Sequence, residues 1–477
     1  MGIKQELVGI VGSEYIFDDH DTLEKYSKDH SFVQPRSPSY VAYPKNAEEV
    51  QGIVKYANQH SIPITPRSSG ISFCGAGIPS QGGVILDLTR MNQILEVDGR
   101  DRKVKVEPGV TWTQVQNELE EQGLMVCNPL LPHPLKSVLT SSMEREPILI
   151  PKSEYNETFQ TGEMVLANGE MFYLGTAIGK SHIGRSSPEH FIPSARLFLG
   201  AQGTLGIITW AILKAEWLPT LDKLFFIPFD RIEDLPKPIY RMQRRMLGNE
   251  CLVLNSFNLA AILAEKWPDD FEALRETLPP WTLILCLSAG NRFPEEKIEY
   301  EEEALMEVAS ELHFDVLRTV CGIGGLDKKV MPILRKPWTK DGYWKFFYKG
   351  SCHDIFFYTT LNRVPEFTKA MHEVAVKYGY PTRDIGFYLQ PVERGRISYC
   401  QYGFHCDPND AKDTERVRCL YYEASERAIS MGGVFTTPYG PWADTVYSRA
   451  ATYTAVMKLV KRTFDPNNIM NPGKLCF

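Results

Sequence analysis

Pro66-Arg-Ser-Ser-Gly-Ile-Ser-Phe-Cys-Gly-Ala-Gly-Ile-Pro79 is a run of small residues that leaves successive backbone amides accessible. Glycine and serine let the main chain approach a bound group closely, and consecutive N–H donors suit a buried pyrophosphate. The same composition also makes ordinary turns, so the flanks decide the reading.

Upstream, Asn46 precedes Ala-Glu-Glu-Val, and Val50, Ile53, Val54 and Ala57 recur at helical spacing. An amphipathic helix is therefore predicted, leading through Ile62 to Thr65 into a strand that stops at the small-residue loop. Downstream come three short β-type runs, Val84 to Leu88, Ile94 to Val97 and Val104 to Glu107. A second helix follows, with Trp112, Val115 and Leu119 on one face and Gly123 at its stop. Beyond Pro219 the texture changes. Leu224 to Ile227, Thr282 to Leu287, Ile355 to Tyr358 and Ile397 to Phe404 read as strands of a separate antiparallel sheet. Glu299 to Leu312 and Pro365 to Tyr378 read as helices on one of its faces, and Tyr447 to Thr463 as the last helix.

Several segments, in this order, resemble the FAD-binding domain of the vanillyl-alcohol oxidase and para-cresol methylhydroxylase superfamily. Members carry Pro-Arg-Gly-Gly-Gly-Thr-Ser and then a Gly-Gly-Val-hydrophobic-Asp-Leu run. Here the loop after Pro66 matches with Ser68, Ser69 and Ile71 substituted, and Gly82-Gly-Val-Ile-Leu-Asp-Leu88 matches the second part. Val104 to Trp112 and Ser137 to Gly169 are similar to the next two family segments. Phe198-Leu-Gly-Ala-Gln-Gly-Thr-Leu-Gly-Ile-Ile-Thr209 is close to the family's Gly-Ser-Glu-Gly-Thr-Leu-Gly-Ile-Ile-Thr, and Phe464 to Lys474 resembles its closing motif.

The resemblance implies an α+β protein: a PCMH-type FAD-binding domain of two small α/β subdomains over residues 1–220, completed by 445–477, with a cap domain over 221–444. It places FAD against Pro66, Arg67, Ser68, Ser69, Gly70, Ile71, Ser72, Cys74 and Gly75. It adds Pro132, Ser137, Ser141 and Ser142, then Gly203, Thr204, Gly206, Ile207 and Ile208, and finally Asn471 and Lys474. Ile71 stands where some relatives carry a histidine that links to the flavin, so noncovalent FAD is expected. No Gly-x-Gly-x-x-Gly follows a strand, which argues against NAD.

The implied activity is hydride transfer to the flavin from a small hydroxylated substrate, a 2-hydroxy acid or a para-hydroxybenzylic alcohol. The alternative is a noncatalytic FAD-binding relay or scaffold subunit. Glu144 stands where phenol-oxidising members carry an acidic residue near the flavin, and is the acid/base candidate. Tyr388, on a strand facing the flavin, and Tyr439 are pocket candidates, and Arg449 an anion anchor. By alternation Tyr388 and Gln390 share one face, as do Tyr399, Gln401 and Gly403, with Cys400, Tyr402 and Phe404 opposite. Neither the hydroxy-acid enzymes' Gly-His-x-Gly-Asp-Gly-Asn-x-His motif nor the phenol oxidases' Tyr-Arg pair is present.

The chain of 477 residues with 43% hydrophobic content is long enough for two domains. Its formal charge of −7, with no long basic block, argues against nucleic acid and anionic membrane as partners. Ten cysteines lack paired zinc or iron–sulfur spacings, and His405 and Cys406 point to opposite sides of a strand, so no metal is expected. No apolar signal core opens the chain and no stretch reads as a membrane span, which together give a cytoplasmic expectation. As a dehydrogenase the protein would hand its electrons to a separate acceptor, an electron-transfer flavoprotein or an iron–sulfur subunit; the alternative on the same fold is an oxidase that uses dioxygen directly, and homo-oligomer formation is open to either.

Overall fold

The computed structural model describes residues 2–152, 157–175, 177, 193–320, 322 and 324–477. Cys321 lies outside the described residues, and the other nine cysteines are free thiols.

The first sheet comprises β1 (Ile16–Phe17), β2 (Tyr40–Ala42), β3 (Ile64–Arg67) and β4 (Val84–Asp87), in the order β1-β2-β4-β3. β4 runs parallel to both β2 and β3. The crossover from β2 to β3 is the helix Ala47–His60, which starts where Asn46 Oδ1 accepts the Glu49 N–H at 2.9 Å. Its buried stripe of Val50, Ile53, Val54 and Ala57 packs on Ile64, Val84 and Leu86. The C-terminal tail joins the same core through Ile469 and Met470, and Met470 bridges Ile64 in parallel.

The second sheet is antiparallel. It takes β5 (Ile94–Asp98) and β6 (Lys103–Val106), passes over the ribbon strand β7 (Leu124–Met125), and adds β8 (Phe159–Val165), β9 (Met171–Leu174) and β10 (Ile207–Lys214), in the order β5-β6-β10-β8-β9. β11 (Glu216–Trp217) pairs with β7. The helix Trp112–Glu120 is held by a reciprocal cap between Thr111 and Gln114 and buries Trp112, Val115 and Leu119 on this sheet.

The third sheet has six antiparallel strands: β12 (Leu221–Phe229), β13 (Cys251–Asn255), β14 (Trp281–Ala289), β15 (Ser351–Thr359), β16 (Gly386–Val392) and β17 (Ile397–Cys406), in the order β12-β14-β13-β16-β17-β15. Helices do not keep to one face, as the sequence reading had them. Pro236–Arg244, Pro294–Leu312, Val364–Lys377 and Ala411–Ser430 cover the first face, with Phe357, Tyr402 and Phe404 beneath them. Ser256–Leu263, Asp269–Thr277 and Leu326–Leu334 pack on the second, whose remaining surface bears Tyr388 and Tyr399. The predicted last helix is also two: Pro441–Ser448 and Ala451–Phe464, broken where Ala450 leaves the helical region at φ −126° and ψ 55°. Among the described residues no helix is long and apolar enough to cross a membrane.

Candidate active site

The loops leaving β3 and entering β10 meet the open surface of the third sheet around a cavity of about 320 Å³. The loop after Pro66 and the glycine-rich stretch from Phe198 to Ile208 both contribute to its floor. Gly203, at φ +72°, packs so tightly that a Cβ there would stand 2.4 Å from Pro66 Cγ, so the two loops touch where only glycine fits.

The loop after β3 is braced from behind. Asp29 Oδ2 accepts from Ser72 Oγ and from the Gly75 N–H, both at 2.7 Å. Ser68 shares a hydroxyl hydrogen bond with Thr140, and Ser69 Oγ accepts the Ser137 N–H at 3.2 Å. On the inner side, the Arg67 guanidinium lies 4.7 Å from the centre of the Tyr26 ring and donates to Gly70 O at 3.3 Å. Its buried Nε–H has no hydrogen-bond partner among the described residues. An unsatisfied guanidinium donor beside a floor of Pro66, Leu88, Met164, Phe198, Ile207 and Ile208 fits FAD: charge for a pyrophosphate and apolar surface for ring systems.

Of the residues expected at the cofactor, Pro66, Arg67, Ser68, Ser69, Ile71, Ser72, Cys74, Pro132, Gly203, Gly206, Ile207 and Ile208 line the cavity. Gly70, Gly75, Ser137, Ser141, Ser142, Thr204, Asn471 and Lys474 do not line it, and several of them have their polar groups already engaged. Ser137 caps the helix Val138–Met143 and donates to Pro108 O at 2.6 Å. Ser141 Oγ accepts from Trp112 Nε1 at 2.9 Å, Ser142 donates to Val138 O at 3.1 Å, and Thr204 donates to Ala201 O at 2.6 Å. Lys474 Nζ donates to Gly75 O at 2.8 Å, and burial pulls its ammonium down to about 8.

Glu144, Tyr388 and Tyr439 come together in the cavity wall. Arg449 does not: it is exposed at the end of the helix Pro441–Ser448, outside the wall, because the chain breaks there instead of carrying it one turn into a longer helix. Lys136, which the sequence reading passed over, donates to Glu144 Oε2 at 3.1 Å and to Glu146. Burial alone would lower its ammonium, but the two carboxylates outweigh that and raise it. Burial and the neighbouring Glu144 push the Tyr439 phenol well above its usual range, so it stays neutral.

The roof is a grid set by strand register. Asp354 faces Gly403, Phe356 faces Gln401, and Tyr358 faces Tyr399 across β15 and β17, while Tyr388 on β16 faces Gln401. This bears out the alternation predicted for β16 and β17, since Tyr388, Tyr399 and Gln401 line the cavity and Tyr402 and Phe404 lie in the opposite core. Gln390 shares the face of Tyr388 but is wholly buried, accepting from Tyr388 Oη at 3.0 Å and donating to Cys251 O at 3.0 Å. Tyr399 Oη donates to Gln401 Oε1 at 3.0 Å, which points the amide N–H donors of Gln401 away from Tyr399.

Lys345 and Asp354 also escaped the sequence reading. Their only signals were a lone lysine in the aromatic run Tyr343 to Tyr348 and a lone carboxylate in β15. Burial depresses the Lys345 ammonium less than Asp354 raises it. Burial pushes the Tyr358 phenol up to about 12 and the His133 imidazole down to about 4, so both are uncharged near neutral pH.

Comparison with known proteins agrees with this geometry. Residues 38–138 match an FAD binding domain and residues 358–475 the C-terminal domain of FAD linked oxidases. The chain is 25% identical to glycolate oxidase subunit GlcD of Bacillus subtilis (strain 168), across 99% of this chain and 96% of that protein. It is 31% identical to the flavoprotein subunit of 4-cresol dehydrogenase (hydroxylating) of Pseudomonas putida, across 46% of this chain and 39% of that one. The crystal structure of p-cresol methylhydroxylase with substrate bound superposes with a TM-score of 0.84 at 21% identity, covering 99% of this chain and 96% of that one.

Proposed function

Since the chain is an FAD-linked oxidoreductase of the p-cresol methylhydroxylase and vanillyl-alcohol oxidase family, we propose that among hydroxylated substrates it oxidises an uncharged para-hydroxybenzylic alcohol, not a 2-hydroxy acid. The observation that carries this reading is the charge inside the cavity. Three carboxylates, Glu144, Glu146 and Asp354, line it with two lysines, Lys136 and Lys345, and each lysine is already bound by a carboxylate. Arg67 belongs to the loop suited to the dinucleotide, and Arg145 at the rim shares Glu157 with Arg196. Apart from Arg67 and Arg145, the inner lining sets three carboxylates against two ammonium groups, so a substrate carboxylate would find both ammonium groups already held, with low-dielectric walls that strengthen its repulsion from the carboxylates.

An aromatic alcohol suits the same space. Phe356, Tyr358, Tyr388, Tyr399 and Tyr439 offer ring faces and neutral hydroxyls, and the Gln401 amide and the Lys345 ammonium are donors for a ring oxygen. When bound, FAD supplies the acceptor for the hydride that leaves the carbinol carbon. Glu144 is the base for the carbinol proton, held toward the cavity by Lys136 and neighboured by the Tyr439 phenol. The named 4-cresol dehydrogenase, a flavoprotein subunit, supports this substrate class and a partner subunit.

Anaerobic mixing of the FAD-loaded protein with 4-hydroxybenzyl alcohol, glycolate and both lactate enantiomers tests the reading. Loss of oxidised-flavin absorbance with the aromatic alcohol alone is expected. Reduction by a 2-hydroxy acid and not by the aromatic alcohol would sink it.

A further inference from the structure

Asn471 is 1% exposed, near the end of the chain, and its side chain reaches both loops that floor the cavity. Its Nδ2 donates to Ala76 O at 3.1 Å in the loop after β3 and to Gln202 O at 2.7 Å in the loop before β10. Its Oδ1 accepts from Thr65 Oγ1 at 3.3 Å, and its backbone N–H donates to Ile64 O at 2.7 Å. All of the amide's hydrogen-bonding capacity at nitrogen is spent tying one loop to the other, and none faces the cavity.

We propose that Asn471 is a positioning residue for FAD: by bonding both loops at once it fixes their separation, and so the width of the cleft that closes on the dinucleotide. The two loops come from different sheets, and their direct contact at Gly203 and Pro66 is apolar and undirected. The two N–H groups of the Asn471 amide, one to each loop, supply the direction. Without them two part-buried carbonyls, Ala76 O and Gln202 O, lose the donor they share, and with it the link between the loops.

The choice of variant follows from the backbone. Asn471 sits at φ +38°, where alanine is strained but aspartate and glycine are tolerated. Asn471→Asp keeps the acceptor for Thr65 and removes both donations, and Asn471→Gly removes the side chain without backbone cost. Asn467→Ala is the comparison, because Asn467 lies in the same tail but is exposed and donates at 2.9 Å to Asn58 in the helix Ala47–His60, away from both loops.

Each variant is titrated with FAD by flavin fluorescence, and flavin release is timed after dilution. N471D is expected to bind FAD at least tenfold more weakly and release it faster. N467A is expected to bind like the parent. If N471D does not accumulate as folded protein, N471G carries the same expectation. FAD affinity unchanged in the variant tested, an equal loss in N467A, or failure of both Asn471 variants to fold would each overturn the proposal. It concerns the cofactor site alone, and its failure leaves the substrate reading untouched.

Discussion

Lys345 Nζ and Asp354 Oδ2 meet at 2.5 Å in the cavity wall, the lysine on the turn before β15 and the aspartate within it. The carboxylate holds a cation that would otherwise stand open to any anion admitted to the site.

Asp354→Asn removes one negative charge and frees Lys345. Benzoate, which carries a ring and a carboxylate together, is then expected to bind roughly tenfold more tightly, since a unit charge released at close range in a partly desolvated site is worth about 1–2 kcal/mol. Titration of the flavin spectrum with benzoate measures it. An unchanged benzoate affinity would show that ligands do not sense the pair.

Glu144→Gln retains the shape of the wall and its hydrogen bond to Lys136 but cannot accept a proton. Reduction of the flavin by an alcohol is expected to slow at least tenfold, or about 1.4 kcal/mol in the barrier, while Glu146→Gln, which leaves Glu144 in place, slows it less. Stopped-flow reduction rates separate the two, and equal rates for E144Q and the parent would remove Glu144 from the chemistry.

His405 is 3% exposed, and burial pushes its imidazole down to about 4. Between pH about 6.5 and about 4 the unfolded chain takes up a proton there that the folded chain refuses, so stability falls as pH falls through that window and is insensitive to this group above it. About 2 kcal/mol is expected to be lost at pH about 5 from this one residue. Urea melts at neutral pH and at pH about 5 test it, with His405→Gln expected to show the smaller acid loss. Equal losses would mean that other groups carry the acid sensitivity.

The fold was legible where a local pattern coincides with the final structure. Val50, Ile53, Val54 and Ala57 announce a helix by spacing alone, and the glycines near Gly203 mark a close approach whatever packs against them. β13 was missed, because Cys251 to Asn255 is a five-residue run buried on both faces with no alternation to mark it. The break at Ala450 has no glycine or proline to signal it. In the site, Glu144 and Tyr388 could be located from their place in the chain order. Lys136 and Asp354 could not, since their meaning comes from partners and neighbours that only the folded chain supplies: Glu146, Lys345 and the tyrosine grid.

The hydrogen bonds that close the floor of the cavity join residues at opposite ends of the chain: Thr65 and Asn471 are 406 positions apart, and Gly75 and Lys474 are 399 apart. At roughly 5–20 residues per second, a ribosome delivers the second half of each pair about 20–80 s after the first. Until then the glycine-rich loop has emerged without the contacts that fasten it. A nascent chain therefore displays the glycine-rich loop before the residues that fasten it exist, and the floor of the cavity is completed only once residues 471–474 have been made.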